Sequence, residues 1–424
     1  MSSSASRPFR TLPGTGTGTW VFRKLLLDRM SRIRDGSLRI VDERGMLECG
    51  ARTPRCDVAV EVDIADPAAY RSMALRGSIG AGESYMDGQW TCSDLTGLIR
   101  ILVANRPVLD GLDSGPVRLA SPLFRLYHML RSNTISGSRR NIAEHYDLGN
   151  DFYRLFLDET LMYSCALFAD QSTSLHQASI AKNELICRKL QLRPSDHLLE
   201  IGTGWGGFAI HAARHYGCRI TTTTISREQW TLATQRIAEA GLADRVSVLL
   251  EDYRHLTGRY DKIVSIEMLE AVGHRYYDGY FARCSSLLND DGLMLLQTIT
   301  IAEQLYERAK HSVDFIQRYI FPGGCLPSVA AIADVIARKT DFRIYHLDDI
   351  GPHYATTLRH WRERFLENLP EVRTLGFSER FIRMWEFYLC YCEGGFIERA
   401  IGNIQMLLTK PGCRRAPPAN EFCA

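Results

Sequence analysis

The sequence has no surplus of either charge: 51 Lys plus Arg stand against 49 Asp plus Glu in 424 residues, a formal net charge of +2. A dedicated nucleic-acid binder would leave a basic excess, so no nucleic-acid partner is expected. No apolar run reaches the roughly 18 residues that a membrane-spanning helix needs. Residues 1–19 are rich in Ser, Thr, Gly and Pro and lack the apolar core of a signal peptide, so they read as a disordered tail. The 12 cysteines contain no CxxC pair and no Cys/His cluster of zinc spacing; Cys390 and Cys392 come closest, as CxC. In a chain this long they read as free thiols in a reducing cytoplasm, with no metal site.

What the sequence does have is a composition 45% apolar, enough for a core in two or three units. Residues 20–110 mix strand-like runs (LRIVDERG, CDVAVEVDIAD) with a helical segment (DLTGLIRILVAN), a small α+β module. Residues 111–143 are a basic linker with Arg118, Arg125, Arg131, Arg139 and Arg140, and no acid between Ser114 and Ala143. Within it Leu123, Leu126, Tyr127 and Leu130 fall at i, i+3, i+4, i+7, an amphipathic helix. Such a helix suits either an anionic leaflet or a solvated basic face packed on a core. From Asn183 the strands DHLLEI, CRITTTTI, RVSVLLED, DKIVSIEM and LMLLQTITI alternate with helices or turns, which predicts an α/β fold with a parallel sheet covered on both faces. Residues 144–412 make up this domain, those after Thr300 breaking into helical pieces that suit a cap over a substrate; 413–424 read as a tail.

The sharpest local signal is His197–Gly207, where an apolar strand carries Glu200 and then Gly202, Gly204 and Gly206 alternate into a helix. Glycines let a ligand approach the backbone. A dinucleotide loop would read GxGxxG and receive phosphate; here GxGxG, with Thr203 inside it, follows an acid. A carboxylate there suits the cationic amino group of S-adenosylmethionine (SAM) and repels phosphate; a nucleotide or a merely tight turn are the other readings. The next strand ends in Thr224-Ile225-Ser226 without a terminal acid, so Thr224 or Gln229 would hold a ribose. Tyr163-Ser164 offers hydroxyls, although such a pair is more often core or loop than ligand. Tyr253-Arg254 after the third strand could flank adenine, and Glu270 falls at the carboxyl edge of the sheet, where open α/β folds bind ligands.

Several stretches taken together resemble the cyclopropane-fatty-acyl-phospholipid synthases and mycolic acid cyclopropane synthases. They are GAGESYMDGQW (80–90), HYDLGND (145–151), MYSCALF (162–168), LEIGTGWGG (199–207), EAVGHRYYDGYF (270–281), DFIQRYIFPGGCLPS (314–328), YATTLRHWRERF (354–365) and YLCYCEGGF (388–396), in order over roughly residues 75–410. The resemblance implies a class I SAM-methyltransferase fold, Rossmann-like with a mostly parallel seven-stranded sheet, helical cap insertions and an extra N-terminal α+β domain. It implies transfer of a carbon from SAM to the cis double bond of an unsaturated phospholipid acyl chain, at the inner face of the membrane, by a cytoplasmic, peripheral homodimer. In that family a bound bicarbonate is thought to accept the proton, and its ligands map onto Cys165, Glu270, Gln297, Ile299 and Tyr354. A late cysteine sometimes assigned as active maps onto Cys392; direct methyl transfer to the alkene makes a covalent role for it unnecessary. Bicarbonate and Glu270 side by side would have to share a proton. The SAM contacts map onto Tyr163, Ser164, 199–206, Thr224 to Gln229, and Tyr253.

Two positions depart from the best-known bacterial enzymes: Gln297 stands where they have His, and Ala271 follows Glu270 where many have His. An amide donates a hydrogen bond but does not titrate, so a proton relay through it is lost. Methyl transfer stays as the expectation, with a cyclopropane or a methyl-branched or methylene product. A small-molecule N- or O-methyltransferase is the reading from another class.

Overall fold

The computed structural model describes residues 17–106 and 148–414. The linker expected at 111–143, with its amphipathic helix, lies outside them, as do most of the two tails. Residues 17–19, expected in the tail, instead form the first turn of the helix Thr17–Met30.

The N-terminal part is a sheet of β1 (Ser37–Asp42), β2 (Gly45–Cys49), β3 (Ala59–Ile64) and β4 (Trp90–Cys92) in the order β2-β1-β3-β4. Along β3, Val60, Val62 and Ile64 are buried while Ala59, Glu61 and Asp63 are exposed, the alternation of a strand with one face on a core. The helices Thr17–Met30, Ala68–Met86 and Leu95–Ala104 accompany this sheet. The Ala68–Met86 helix breaks at Gly77 (φ 53°, ψ −130°), a conformation glycine adopts without a Cβ clash. The break brings Gly80 so close to the Ser72 carbonyl that a Cβ would lie 1.9 Å from its oxygen.

Polar contacts tie this module to the helix Glu379–Ile397 and its C-terminal cap Glu398. Tyr85 donates to Glu386 (2.9 Å), Thr96 to Glu393 (3.1 Å) and Arg100 to Glu398 (2.8 Å).

The larger sheet has seven strands in the order β10-β11-β9-β8-β5-β6-β7. The five strands expected from βαβ alternation are β5 (His197–Ile201), β6 (Arg219–Thr224), β7 (Val246–Leu250), β8 (Tyr260–Ile266) and β9 (Leu288–Ile301), and they pair in parallel. Two further strands, β10 (Arg343–Asp349) and β11 (Ile401–Thr409), fall inside the stretch expected to be helical. β11 runs antiparallel to both β9 and β10 and extends the sheet past β9. The four strands β5, β6, β8 and β9 send their carboxyl ends to one edge, where open α/β sheets bind ligands. No described helix is long and apolar enough to cross a membrane.

Candidate active site

A cavity of about 1180 Å³ opens at that edge. Its first wall is the loop after β5. Gly202, Gly204 and Gly206 all have positive φ (103°, 51° and 82°). A Cβ on Gly204 would meet nothing within 4 Å, so this glycine faces open space. The loop is fixed from behind by Thr203 Oγ1, 2.8 Å from Thr222 Oγ1, and by the Gly202 and Thr203 N–H groups donating to the Thr223 carbonyl.

Glu200 lines the cavity and is fully buried, with one carboxylate oxygen left without a partner. Burial pushes its carboxyl up to about 8, so at neutral pH it carries a proton until a cation arrives to pair with it. Thr224 donates to Gln229 Oε1 (2.8 Å), and both line the cavity. Tyr253 and Arg254 line it as well, the Arg254 guanidinium being held by buried Asp252. Tyr163 and Ser164 line it too. The Tyr163 hydroxyl is 2.8 Å from that of Tyr388, and Ser164 accepts from the buried Lys182 ammonium (3.2 Å).

Two half-buried carboxyl groups also line the cavity. One, Glu270, was expected. The other, Glu267, was not. It follows β8 directly and has φ 50°, a left-handed conformation rare outside glycine and costing about 1–3 kcal/mol. Glu267 Oε1 accepts from the Cys165 backbone N–H (2.9 Å), Gln297 Nε2 (2.9 Å) and Asn403 Nδ2 (2.7 Å), and Oε2 accepts from the Tyr354 hydroxyl (2.7 Å). The Gln297 amide is itself oriented: its oxygen accepts from Gln405 Nε2 (3.0 Å), whose own oxygen accepts from the Lys189 ammonium (2.7 Å). That chain fixes the Gln297 NH₂ toward Glu267.

Glu270 accepts from the Ile299 backbone N–H, and its second oxygen is buried without a partner. Burial and then the adjacent Glu267 charge push it up to about 8. Burial raises Glu267 too, against its four hydrogen bonds. Those donors favour the charge on Glu267 and leave the proton on Glu270.

The arrangement corrects the expectation of bicarbonate. Three of its expected ligand residues, Cys165, Gln297 and Tyr354, spend their donors on the Glu267 carboxylate, so the residues present do not fit a separate anion between them. Cys165 and Gln297 lie behind Glu267 and are not part of the cavity wall, whereas Glu270, Ile299, Tyr354 and Cys392 line it. The Cys165 thiol donates to backbone carbonyls (3.3 Å to Ala166, 3.6 Å to Ile350), and burial raises it far above an ordinary thiol. Cys392 is raised in the same way by burial, which removes the thiolate a nucleophile needs.

Two cofactor expectations also change. Ser226 caps the helix Arg227–Glu239 through the Gln229 N–H (3.2 Å), and Gly206 is the turn into the helix Gly207–Tyr216; neither lines the cavity. Missed by sequence reasoning were Glu267, Asn403 and Lys182. For Glu267 a signal existed, an acid directly after the fourth strand at the ligand edge. Asn403 and Lys182 have no local signal.

Tyr163, Phe321, Tyr354, Tyr388 and Phe396 add aromatic rings to a wall that also carries aliphatic and polar side chains. Tyr163 packs 5.1 Å from Trp361, and Tyr354 packs 4.5 Å from Phe396 and edge-on to Trp361 at 6.0 Å. The IFPGGCLPS stretch is pinned above the carboxyl pair by the Cys325 N–H on the Glu270 carbonyl (2.9 Å) and by Tyr277 on the Cys325 carbonyl (2.6 Å). The chamber thus joins aromatic rings to one fixed carboxylate, an arrangement suited to a cationic intermediate that must lose a proton.

Comparison with known proteins places this geometry among relatives. Residues 134–406 match the family model described as mycolic acid cyclopropane synthetase. The chain is 41% identical over 383 residues to the tuberculostearic acid methyltransferase of Mycobacterium tuberculosis, covering 88% of each. It is 38% identical over 353 residues to the cyclopropane-fatty-acyl-phospholipid synthase of Escherichia coli, covering 82% of this chain and 88% of that one. Among solved structures, a mycolic acid cyclopropane synthase complexed with SAH and CTAB aligns with a TM-score of 0.60 at 34% identity, covering 64% of this chain and 98% of that one.

Proposed function

The chain belongs to the mycolic acid cyclopropane synthetase family and is a SAM-dependent methyltransferase of class I fold, and from that premise we propose that it adds the SAM methyl to the cis double bond of an unsaturated fatty acyl chain of a phospholipid, with Glu267 as the base. The observation that carries this reading is the Glu267 carboxylate, held by four donors in an aromatic chamber at the cofactor edge. Methylation of an alkene passes through a carbocation, which aromatic rings beside a base suit.

SAM supplies an electrophilic methyl group. On this reading the Gly202–Gly206 loop, Tyr163, Ser164, Thr224, Gln229, Tyr253 and Arg254 surround it, and Glu200 ionises to meet its amino group. The alkene π pair forms the new C–C bond as the S–CH₃ bond breaks, leaving a carbocation on the chain. Tyr163, Tyr354 and Tyr388 present π faces to that charge. Glu267 then takes a proton. If the proton leaves the new methyl directly, its C–H pair closes a cyclopropane. If a 1,2-hydride shift first moves the charge onto the methylated carbon, loss of a methyl proton gives a methylene chain. Loss of a proton from an adjacent chain carbon gives a methyl-branched alkene, whose saturation takes a separate hydride donor.

The cyclopropane is the first reading. The second is favoured by the 41% identity to a tuberculostearic acid methyltransferase and by the absence of a titratable side chain at Gln297. A phospholipid substrate lies in a bilayer, so the reading includes peripheral association with the membrane, and a homodimer would gain avidity there.

Expression in a bacterium lacking its own cyclopropane synthase, followed by mass analysis of fatty acid methyl esters, tests it. One added carbon with the unsaturation replaced by a ring selects the first product, and one added carbon with the double bond retained or reduced selects the second. No added carbon, in a protein that binds SAM, sinks both.

A further inference from the structure

The cavity continues past the carboxyl pair. Beyond Phe387 and Tyr391 of the helix Glu379–Ile397 its wall passes into the N-terminal module, where Met30, Leu38, Ile40, Val62, Leu98 and Leu102 line it. These residues come from the helix Thr17–Met30, from β1 and β3, and from the helix Leu95–Ala104, so they include the inner face of the small sheet. The broken turn at Gly77 borders the same space, as do Arg76, paired with Glu83, and Arg106. The total of about 1180 Å³ exceeds the roughly 300–1,000 Å³ of a small-ligand site.

Those six side chains offer no hydrogen bond and therefore select an apolar ligand. Continuity with the SAM loop restricts that ligand to one that also reaches the methyl donor. A long, unbranched hydrocarbon meets both conditions. We propose that the interior of the N-terminal module receives the methyl-terminal segment of the acyl substrate, so that this module measures the carbons beyond the double bond. The carboxyl pair marks where the double bond sits, and the wall formed by Val62, Leu98 and Leu102 marks how far the chain extends past it. The proposal rests on the acyl-alkene reading above and adds to it a selectivity site in a different part of the fold.

The test uses the full-length enzyme, SAM, and vesicles of phosphatidylglycerol carrying palmitoleoyl and oleoyl chains in equal amount. The two chains are identical up to the double bond and differ by two methylenes beyond it. Leu102→Phe and Val62→Phe shorten the far end and are expected to shift the product ratio toward the shorter chain by at least about tenfold, with turnover of that chain retained. An unchanged ratio in folded, active variants overturns the proposal.

Where the substitutions unfold the module, the wild-type enzyme is irradiated with a phospholipid bearing a diazirine at the methyl end of its unsaturated chain. Adducts on peptides from 26–102 support the proposal, and adducts confined to 148–414 overturn it. Wild-type enzyme that binds SAM but alters no unsaturated lipid defeats the acyl-alkene reading instead, a separate result.

Discussion

The carboxyl end of the cavity and its far end in the N-terminal module are held in shape by opposite means. At the first, Glu267 is fixed by four donors from four parts of the chain, and Gln297 is oriented by an amide chain that ends on Lys189. At the second, the residues we assign to the chain terminus touch a ligand only through apolar bulk. Directional contacts tolerate little displacement, whereas bulk tolerates much. Substitutions at the carboxyl end should therefore abolish or spare the reaction, and substitutions at the far end should grade its selectivity. Rate and chain preference become separable, and each can be broken alone.

The largest effect is expected at Glu267. Glu267→Gln keeps the shape and removes the base, and should lower turnover on unsaturated lipid by at least about a hundredfold, while calorimetry finds SAM affinity unchanged. Glu267→Gly relieves the φ of 50° and frees the donors of Cys165, Gln297 and Tyr354. Bicarbonate or formate in the buffer should then restore part of the rate. A Glu267→Gln enzyme with wild-type turnover would end the base assignment. Next in size are the donors themselves. Asn403→Leu or Gln297→Leu removes one hydrogen bond from this half-buried carboxylate, worth about 1–3 kcal/mol, so turnover should fall by about ten- to a hundredfold. The palmitoleoyl-to-oleoyl product ratio should stay where it was; if it moves with the rate, the two ends are not independent.

A smaller effect, with a defined sign, is expected at Glu200. Its carboxyl is raised to about 8 by burial, so at pH 7 the SAM-free protein holds it protonated. Pairing with the amino group of SAM favours the carboxylate, so binding at pH 7 should release a proton, and affinity should weaken as pH falls below about 8. Calorimetry in two buffers of different ionisation enthalpy reads the proton count directly. Glu200→Gln should abolish the release and weaken SAM by about tenfold. The stability sign follows from the same shift. A carboxyl raised on folding makes the folded state hold a proton that the unfolded chain has released. Resistance to urea in the SAM-free protein should therefore decline as pH rises from about 4.5 to about 8, and less steeply in Glu200→Gln.

How much of this was legible in the sequence follows from the reach of each contact. The glycine loop and the five parallel strands are local patterns: alternate glycines after an acid, and apolar runs punctuated by helices. β10 and β11 were missed because their membership of the sheet depends on pairing with each other and with β9, more than a hundred residues before β11 in sequence. The carboxyl pocket failed for the same reason, since its donors at Cys165, Gln297, Tyr354 and Asn403 meet only in the fold. The resemblance maps three of those residues together as ligands of bicarbonate, and in the fold they converge on the Glu267 carboxylate. Bicarbonate was expected where this chain brings its own carboxylate on a strained backbone, immediately after a strand that had already been recognised.

The smallest expected effect separates motif from site. Ser226 lies in the stretch where the resemblance places SAM contacts, yet its hydroxyl accepts from the Gln229 N–H at the start of the helix Arg227–Glu239. Its own N–H donates to Thr224 Oγ1 (3.1 Å), and that hydroxyl in turn donates to Gln229. Ser226→Ala removes the cap and leaves Thr224 and Gln229 on the cavity wall, costing about 1 kcal/mol of stability. The expected result is an earlier denaturation midpoint with SAM affinity almost unchanged. Thr224→Val, at a residue that does line the cavity, should weaken SAM and also lower the denaturation midpoint, because it strips both buried hydrogen bonds of that hydroxyl. If Ser226→Ala weakened SAM as much as Thr224→Val does, the cap would be shaping the ribose end of the site through Gln229, and this edge would have to be grouped with the directional contacts around Glu267.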